Sequence, residues 1–261
     1  MKADQLGLTK APSSQEASTP PRVLVAGVGG PSGVAAIEAL DSETLDIFSA
    51  DIDPNTPGLN LVDEDRRLPV AKGSGDSYTE LLFELCEEHR IDVLVPAMDC
   101  ELLLLASARV FFTEIGTRIV LPSEKTLRLC LDRRALRRCC RGVVRVSDSV
   151  LADGLPGAEY SLATLARSDG KVIAVVPWAR GNSAAAASGR TVHDEGLEKI
   201  GHQIAARIGL TSLANIQVKE ASDGEPVLLG VNPHFPGTMP LAAASGESML
   251  GLCVDGVLAD E

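Results

Sequence analysis

The first half of the chain alternates short aliphatic runs with segments that carry apolar residues at helical spacing. Strands are predicted at 22–26, 45–53, 91–97 and 117–123. Helices are predicted at 34–40, 77–89, 98–112 and 124–140, the last with Ser123 as its N-cap. Because strands that alternate with helices favour a parallel sheet covered on both faces, we expect an α/β, Rossmann-like N-terminal domain.

The pattern changes after residue 141. Two hairpins with Asp-Gly turns are predicted at 159–177 and 215–232, on either side of a helix at 197–210. A short helix is predicted near 246–258. Since hairpins make antiparallel pairs, the second half is expected to be an α+β antiparallel domain that follows the parallel-sheet domain.

The last predicted strand, VLLGVN, contains a glycine and ends in Asn-Pro-His. Its two alternating sets are Val227, Leu229 and Val231 against Leu228, Gly230 and Asn232. Side chains two residues apart on a strand share a face, so Gly230 and Asn232 point together, with Gln217 of the facing strand beside them. A strand glycine packs nothing. We therefore expect that something approaches the backbone at 230 or that a side chain has been lost there.

Gln217 and Asn232 are candidate metal ligands on this reasoning. Two oxygen donors near a ligand phosphate would suit Mg²⁺, which prefers oxygen ligands. The predicted spot has no carboxylate, however, and neutral amide oxygens alone are poor Mg²⁺ ligands.

A glycine-rich turn joins the first predicted strand to the first predicted helix. Its candidate phosphate-binding residues are Gly27, Gly29, Gly30 and Ser32. Free N–H groups at a helix N-terminus favour phosphate, and Asp51 lies near the position of a ribose-binding acid. The spacing departs from G-x-G-x-x-G, and the alternative is that the glycines serve only a tight turn and close helix–sheet packing.

Two further charged groups have open roles. Asp99 and Glu101 follow a strand and open a helix, where capping competes with catalysis. An arginine cluster reads either as an exposed basic face or as a phosphate-facing group; its members are Arg133, Arg134, Arg137, Arg138 and Arg141.

Composition narrows the class of protein. The 261 residues carry a formal net charge of −12, which argues against nucleic acid or an anionic membrane as a partner. The six cysteines form no CxxC pair, and no apolar run is long enough to span a bilayer. We expect a cytoplasmic protein with reduced cysteines and a disordered polar tail at 1–20.

In this order, the elements resemble the ATP-grasp superfamily, in particular its carbamoyl-phosphate-synthase-like ligases. The resemblance covers about residues 22–258 and is carried by the stretches 22–40, 50–64, 93–106, 121–136, 156–177 and 214–235. It implies that ATP activates a carboxylate as an acyl phosphate, which an amine then attacks. ATP and Mg²⁺ are the implied cofactors.

The resemblance also implies roles for individual residues. Arg133, Glu159 and His234 match positions that contact the nucleotide. Gln217 and Asn232 match two positions of the metal site.

This chain departs from the family pattern at three places. Gly230 stands where the family has its main metal-binding glutamate, and His234 stands where it has a phosphate-facing arginine. Residues 141–156 fill the place of the central lid subdomain, and sixteen residues are too few to form a lid. The expected domains are a Rossmann-like domain at 21–122, a linker helix with truncated lid region at 123–156 and an ATP-grasp C-terminal subdomain at 157–261.

The departures favour a degenerate ligase that is weak or inactive alone. The alternative is a non-catalytic module that binds a nucleotide or a protein, and a dinucleotide-binding role is disfavoured by the misplaced third glycine. A small-molecule substrate or nucleotide is the expected ligand. A homodimer, or a partner protein that completes the site, is the expected assembly.

Overall fold

Two sheets organise the part of the chain that the computed structural model describes, which is residues 19–70, 76–146, 154–181, 189–235 and 248–259. A five-stranded parallel sheet has the order β3-β2-β1-β4-β5, and a six-stranded sheet has the order β6-β11-β10-β7-β8-β9. The predicted tail at 1–20 lies almost wholly outside the described residues. No helix among the described residues is long and apolar enough to cross a membrane.

The parallel sheet forms the N-terminal domain. Its strands are β1 (Arg22–Ala26), β2 (Asp46–Asp51), β3 (Arg67–Pro69), β4 (Val93–Pro96) and β5 (Arg118–Ile119). Its helices are α1 (Pro31–Ala39), α2 (Asp76–Glu88) and α3 (Asp99–Glu114), with two short 3₁₀ helices at Pro57–Leu61 and Glu64–Arg66. Val23 and Val25 pack on the side of α1, whereas Leu24 packs on the side of α2 and α3. The predicted parallel sheet with helices on both faces is therefore confirmed.

The long helix predicted at 124–140 is wrong, because the structure has two helices there. They are α4 (Glu124–Leu131) and α5 (Arg133–Cys140). Asp132 has φ −89° and ψ 93°, outside the helical region, and its carboxylate accepts bonds from the backbone N–H groups of Arg134 and Ala135. Asp132 thus ends α4 and caps α5. Ser123 caps α4, as predicted, by accepting the Thr126 N–H at 3.2 Å.

The six-stranded sheet is antiparallel except at one edge. Its strands are β6 (Arg145–Val146), β7 (Glu159–Ala166), β8 (Val172–Arg180), β9 (Gly189–Thr191), β10 (Leu213–Glu220) and β11 (Pro226–Asn232). The remaining helices are α6 (Glu195–Ile208) and α7 (Met249–Ala259). Both predicted hairpins are present, and Gly170 and Gly224 supply the positive φ of their turns. The sequence pattern missed β3, β6 and β9, which are two or three residues long.

The two faces of this sheet differ. One face, with Leu162, Ile216 and Val231, packs against α5 and α6. The other face is apolar at one end, where Leu165 and Leu213 share a core with α1, α7 and the β1 valines. A common core thus joins the two sheets, and the polar half of this second face is left for a site.

The segment expected to replace the lid contributes a strand to the sheet. β6 pairs in parallel with β11, Val227 opposite Arg145 and Leu228 opposite Val146. Residues 147–153 of the segment lie outside the described residues.

Candidate functional site

Three amide side chains share one face of the six-stranded sheet. Gln217 lies opposite Gly230 and Asn215 lies opposite Asn232, and residues that oppose each other in an antiparallel pair point to the same side. We call Asn215, Gln217 and Asn232 the amide row. The structure thus places Gln217, position 230 and Asn232 together, and Asn215 is a member that the sequence reasoning missed. Its position two residues before Gln217 on one strand was the available signal.

A β-bulge interrupts the alternation expected along β11. Gln217 opposes Gly230 but Val218 opposes Leu228, so Leu229 is the extra residue. Leu228 and Val231 consequently lie on the same face, in the core against α5 and α6. Strict alternation at 227–232 was therefore wrong, because it put Leu229 rather than Leu228 beside Val231.

Gly230 has no packing reason among the described residues to be glycine. A Cβ added there would meet no described heavy atom within 4 Å, and its φ is not positive. No described atom of the chain is therefore the group that was expected to approach position 230, and the loss of a side chain there stays a prediction. The position is open, and a longer side chain would extend over the amide row.

An indole and a hydroxyl continue the same face across the sheet. Ser161 of β7 opposes Gln217, and Trp178 of β8 opposes Ser161. Trp178 is buried, and its Nε1 has no hydrogen-bond partner in the described structure. A Cβ on Gly189 would overlap the indole, so β9 packs directly against that ring.

Glu159, predicted to contact the nucleotide, begins β7 at the polar end of this face. Its Oε1 lies 2.5 Å from Nη1 of Arg180, and the residue opposes Lys219 across the sheet. The carboxylate is thus already paired with a cation, and its contact with a nucleotide stays a prediction.

His234, a second of the three predicted nucleotide contacts, links the two domains. Its Nε2 lies 3.0 Å from Oδ1 of Asp99, and its Nδ1 lies 2.9 Å from the carbonyl oxygen of Phe235. Each ring nitrogen of His234 thus faces an oxygen that can accept a hydrogen bond. The hydrogen bond from His234 holds the pKa of Asp99 below its usual range.

Glu101 has a capping role. Its Oε1 accepts the N–H groups of Ala97 and Met98, and its Oε2 accepts the hydroxyl of Tyr78 at 2.8 Å. Burial raises the pKa of Glu101, against the lowering effect of these bonds. These contacts agree with the capping role, which was one of the two roles considered for Glu101, the other being catalysis.

The glycine turn has a packing explanation at several positions. Gly27 has φ +77°, and the N–H of Gly29 donates to Oδ2 of Asp51 at 2.6 Å. A Cβ on Gly33 would lie 2.5 Å from the carbonyl oxygen of Gly27. Gly30 precedes α1, and Ser32 lies half-buried in its first turn. Asp51 is therefore engaged by its own turn, and phosphate binding here stays a prediction.

Arg133 is the exposed first residue of α5. The buried residues of this helix, Leu136 and Cys140, pack on the face of the sheet opposite to the amide row. The predicted ATP contact of Arg133 stays a prediction.

The candidate site also includes the carboxyl ends of two central strands of the parallel sheet. β1 and β4 are neighbours at which the strand order reverses, and ligands bind outside the carboxyl ends of such strands. The ends of β1 and β4 carry Gly27 and Met98, and the Met98 side chain lies against Gly27. Asp99 then bonds His234, two residues beyond Asn232. We take the strand ends and the amide row, which the Asp99–His234 contact links, as the candidate site.

The donor set does not by itself fit Mg²⁺. The amide row offers neutral side chains around an empty position, and Mg²⁺ is normally held by carboxylates and phosphates. Among the described residues, no group of three or more His, Cys, Asp or Glu side chains could hold a metal. The residues can hydrogen-bond a polar ligand but lack the charge to retain the cation alone.

Two family models match successive parts of the chain. Residues 23–120 match the PylC-like N-terminal domain, and residues 145–261 match the ATP-grasp of the biosynthetic pathway with Ter operon. No curated protein sequence matches the chain.

Solved structures share the fold at low identity. A single-chain, multi-domain long-chain acyl-CoA carboxylase has a TM-score of 0.71 at 16% identity, over 92% of this chain and 26% of its own. The biotin carboxylase domain of a thermophilic 2-oxoglutarate carboxylase, bound to ADP without magnesium, has a TM-score of 0.68 at 12% identity, over 93% and 71%. Biotin carboxylase of Campylobacter jejuni has a TM-score of 0.64 at 12% identity, over 92% and 71%.

The chain thus spans about a quarter of the multi-domain carboxylase that it matches. The fold and the polar sheet face define an α/β protein built like the biotin carboxylases. Residues 145–261 match an ATP-grasp family model, and the fold that the described chain shares with biotin carboxylases is consistent with the ATP-grasp superfamily.

Proposed function

We propose that the candidate site binds a nucleotide, and that the chain alone is a weak or inactive ATP-dependent carboxylate–amine ligase. The observation that supports this most directly is the open position at Gly230 among three neutral amides. The amide row can accept and donate hydrogen bonds to a nucleotide and a small carboxylate. It provides no fixed charge for the developing acyl phosphate.

The missing charge is expected to lower the rate of catalysis by a predictable factor. Removing one electrostatic group that stabilises a transition state typically lowers kcat by about 10²–10³. Glu159, an acid on the same face of the sheet, is paired with Arg180 and does not replace the missing charge. A biotin carboxylase domain solved with ADP but without magnesium illustrates that this fold can hold a nucleotide without the cation.

The short connection before β7 supports the same proposal. Only residues 141–158 separate α5 from β7, and two of them form β6 at the edge of the sheet. A cover that excludes water strengthens electrostatic interactions within a site. A partner chain that supplied both a cover and a carboxylate would restore catalysis, and the polar face beside Gly230 is where that carboxylate would enter.

Calorimetric titration of the whole chain with ATP and ADP, with and without Mg²⁺, tests the proposal. We expect binding whose Kd changes less than about twofold on adding Mg²⁺, because no carboxylate couples metal to nucleotide. Gly230→Glu is expected to give Mg²⁺-dependent affinity that is about tenfold tighter. Gly256→Glu, at another position open to a Cβ, is the matched control and should leave both affinities unchanged.

Two results would overturn the proposal. One is the absence of ATP and ADP binding at millimolar concentration. The other is Mg²⁺-dependent phosphate release by the unmodified chain, in the presence of carboxylate and amine mixtures, at about 1 s⁻¹ or faster.

A further inference from the structure

A groove between α2 and α3 lies apart from the candidate site. It has a volume of about 720 Å³, and its apolar wall is formed by Phe83, Leu104 and Phe111. Beneath it, the rings of Phe83 and Phe112 pack edge to face with centroids 5.5 Å apart. Phe111 lies 12 residues after Asp99 in α3, which is about 18 Å along the helix from the site.

The α3 side of the groove carries a strongly exposed aromatic residue. Phe111 is 60% exposed and its neighbour Val110 is 66% exposed. The core beneath them is already complete, because Phe112 of the same helix is fully buried. Large apolar side chains held together at the surface beside a groove typically mark a binding surface.

The α2 side of the groove, which also carries Phe83, is acidic. Glu80, Glu84 and Glu87 of α2 line it, and their spacing places them along one stripe of the helix. None of the three pairs with a lysine or arginine in the described part of the chain. Like charges at this spacing repel one another, so a cationic partner would relieve the repulsion.

We propose that the α2–α3 groove binds an amphipathic helix of a partner protein, with apolar residues on one side and lysine or arginine beside them. Two packed helices leave a groove that accepts a third helix. Their backbone groups bond within each helix and offer no strand edge, so an extended peptide would find no main-chain partners. The acidic stripe selects the basic flank.

The charge of the chain separates this partner from other occupants. A second copy carries the same net charge of −12 and the same acidic stripe, so its approach is opposed. An anionic lipid surface is repelled for the same reason.

The test uses the full chain and a labelled synthetic helix of about 18 residues with leucine on one face and lysine elsewhere. Fluorescence anisotropy measures its Kd, and an otherwise identical peptide with glutamate in place of lysine is the comparison. We expect only the basic peptide to bind, with affinity that falls as salt rises. Phe111→Ser should weaken binding about tenfold or more, because an exposed aromatic anchor is removed.

A second variant keeps the test sharp if Phe111→Ser disturbs folding. Glu84→Lys with Glu87→Lys changes only exposed residues. It should weaken the binding of the basic peptide and make its Kd less dependent on salt. The matched controls are Ile173→Ser, another apolar residue at 51% exposure, and Asp65→Lys on an exposed turn. Both should bind the basic peptide like the unmodified chain.

Three outcomes would overturn the proposal. The first is equal binding of the two peptides, or binding that neither groove variant changes. The second is self-association in sedimentation that Phe111→Ser abolishes, which would assign the groove to a second copy. The third is binding to vesicles with anionic lipid that Phe111→Ser abolishes, which would assign the groove to a membrane surface.

Discussion

The glycine turn after β1 and Gly230 both stand out in the sequence, but they differ in whether the fold requires a glycine. In the turn, Gly27 needs a positive φ, and Gly33 leaves no room for a Cβ. Gly58 of the neighbouring 3₁₀ helix packs just as closely on Val28. Gly230 meets nothing. Gly27, Gly33 and Gly58 are thus required by the fold, whereas Gly230, like Gly30 of the turn, has room for a Cβ. The fold does not explain why residue 230 is glycine, so its identity bears on the chemistry of the site.

The largest effect is expected for Gly58→Ala. Its Cβ would lie 1.9 Å from the carbonyl oxygen of Val28, and backbone has to move to relieve that overlap. We expect a loss of about 3 kcal/mol in the free energy of unfolding, measured by urea denaturation. Gly256→Ala, in an open position of α7, should not destabilise the protein. Equal stability of the Gly58 variant would contradict the close packing of the turn.

A smaller effect is expected for Asp51→Ala. The carboxylate accepts the N–H of Gly29 at 2.6 Å and that of Asp53 at 2.9 Å, and Asp51 is buried. Leaving these donors without partners should lower the free energy of unfolding by about 2 kcal/mol. Asp53→Ala, which removes an exposed acceptor, should change it by less than about 0.5 kcal/mol. If the two variants are equally stable, Asp51 does not organise the turn.

His234→Ala should lower the free energy of unfolding by about 1 kcal/mol at pH 5.5, because a hydrogen bond to Asp99 is lost. The effect is modest because Asp99 is largely exposed and solvent screens the pair. The pKa of Asp99 is lowered in the folded state, chiefly by the hydrogen bond from His234. Such a carboxylate contributes stability above its unfolded-state pKa of about 3.9 and loses that contribution as pH falls through the lower folded-state value.

The difference between His234→Ala and the unmodified chain should therefore shrink from about pH 5 to about pH 3, as followed by denaturation at each pH. His234→Gln, which can still donate one hydrogen bond, is expected to lose less. A difference that grows towards low pH would contradict the assigned pair.

The smallest effect is expected for Gly230→Ala. Because a Cβ meets no described atom and a strand glycine is intrinsically unfavourable, we expect no loss and a gain of up to about 1 kcal/mol in the free energy of unfolding. A loss above about 1 kcal/mol would show that the position is constrained and would remove the contrast with the turn.

Hydrophobic periodicity predicted most of the architecture. The central strands β1, β2 and β4 have four to six residues and are buried on both faces, so their aliphatic runs are unambiguous. Short edge strands such as β3, β6 and β9 bury too little to produce a pattern. The break at Asp132 was missed because the apolar spacing of α4 and α5 reads through it, although an aspartate is a common N-cap.

The candidate site was predictable only in part. Gln217 and Asn232 follow from strand alternation and hairpin pairing, and both lie on the polar face. The bulge at Leu229 depends on how two strands match in length, which neither strand encodes alone. The roles predicted for Arg133, Glu159 and His234 came from a resemblance. The phosphate role of the glycine turn came from its position before a helix, and all of these roles remain predictions.

The sequence by itself determined the order of the elements, the change from parallel to antiparallel strand pairing and the position of the glycine in the last strand. Periodicity carries this information because it records which side of each element is buried. Only the tertiary structure decided which distant groups meet, such as His234 with Asp99 or Gly58 with Val28. Such contacts depend on how the elements pack together in space, and spacing along one segment contains nothing about a partner more than a hundred residues away.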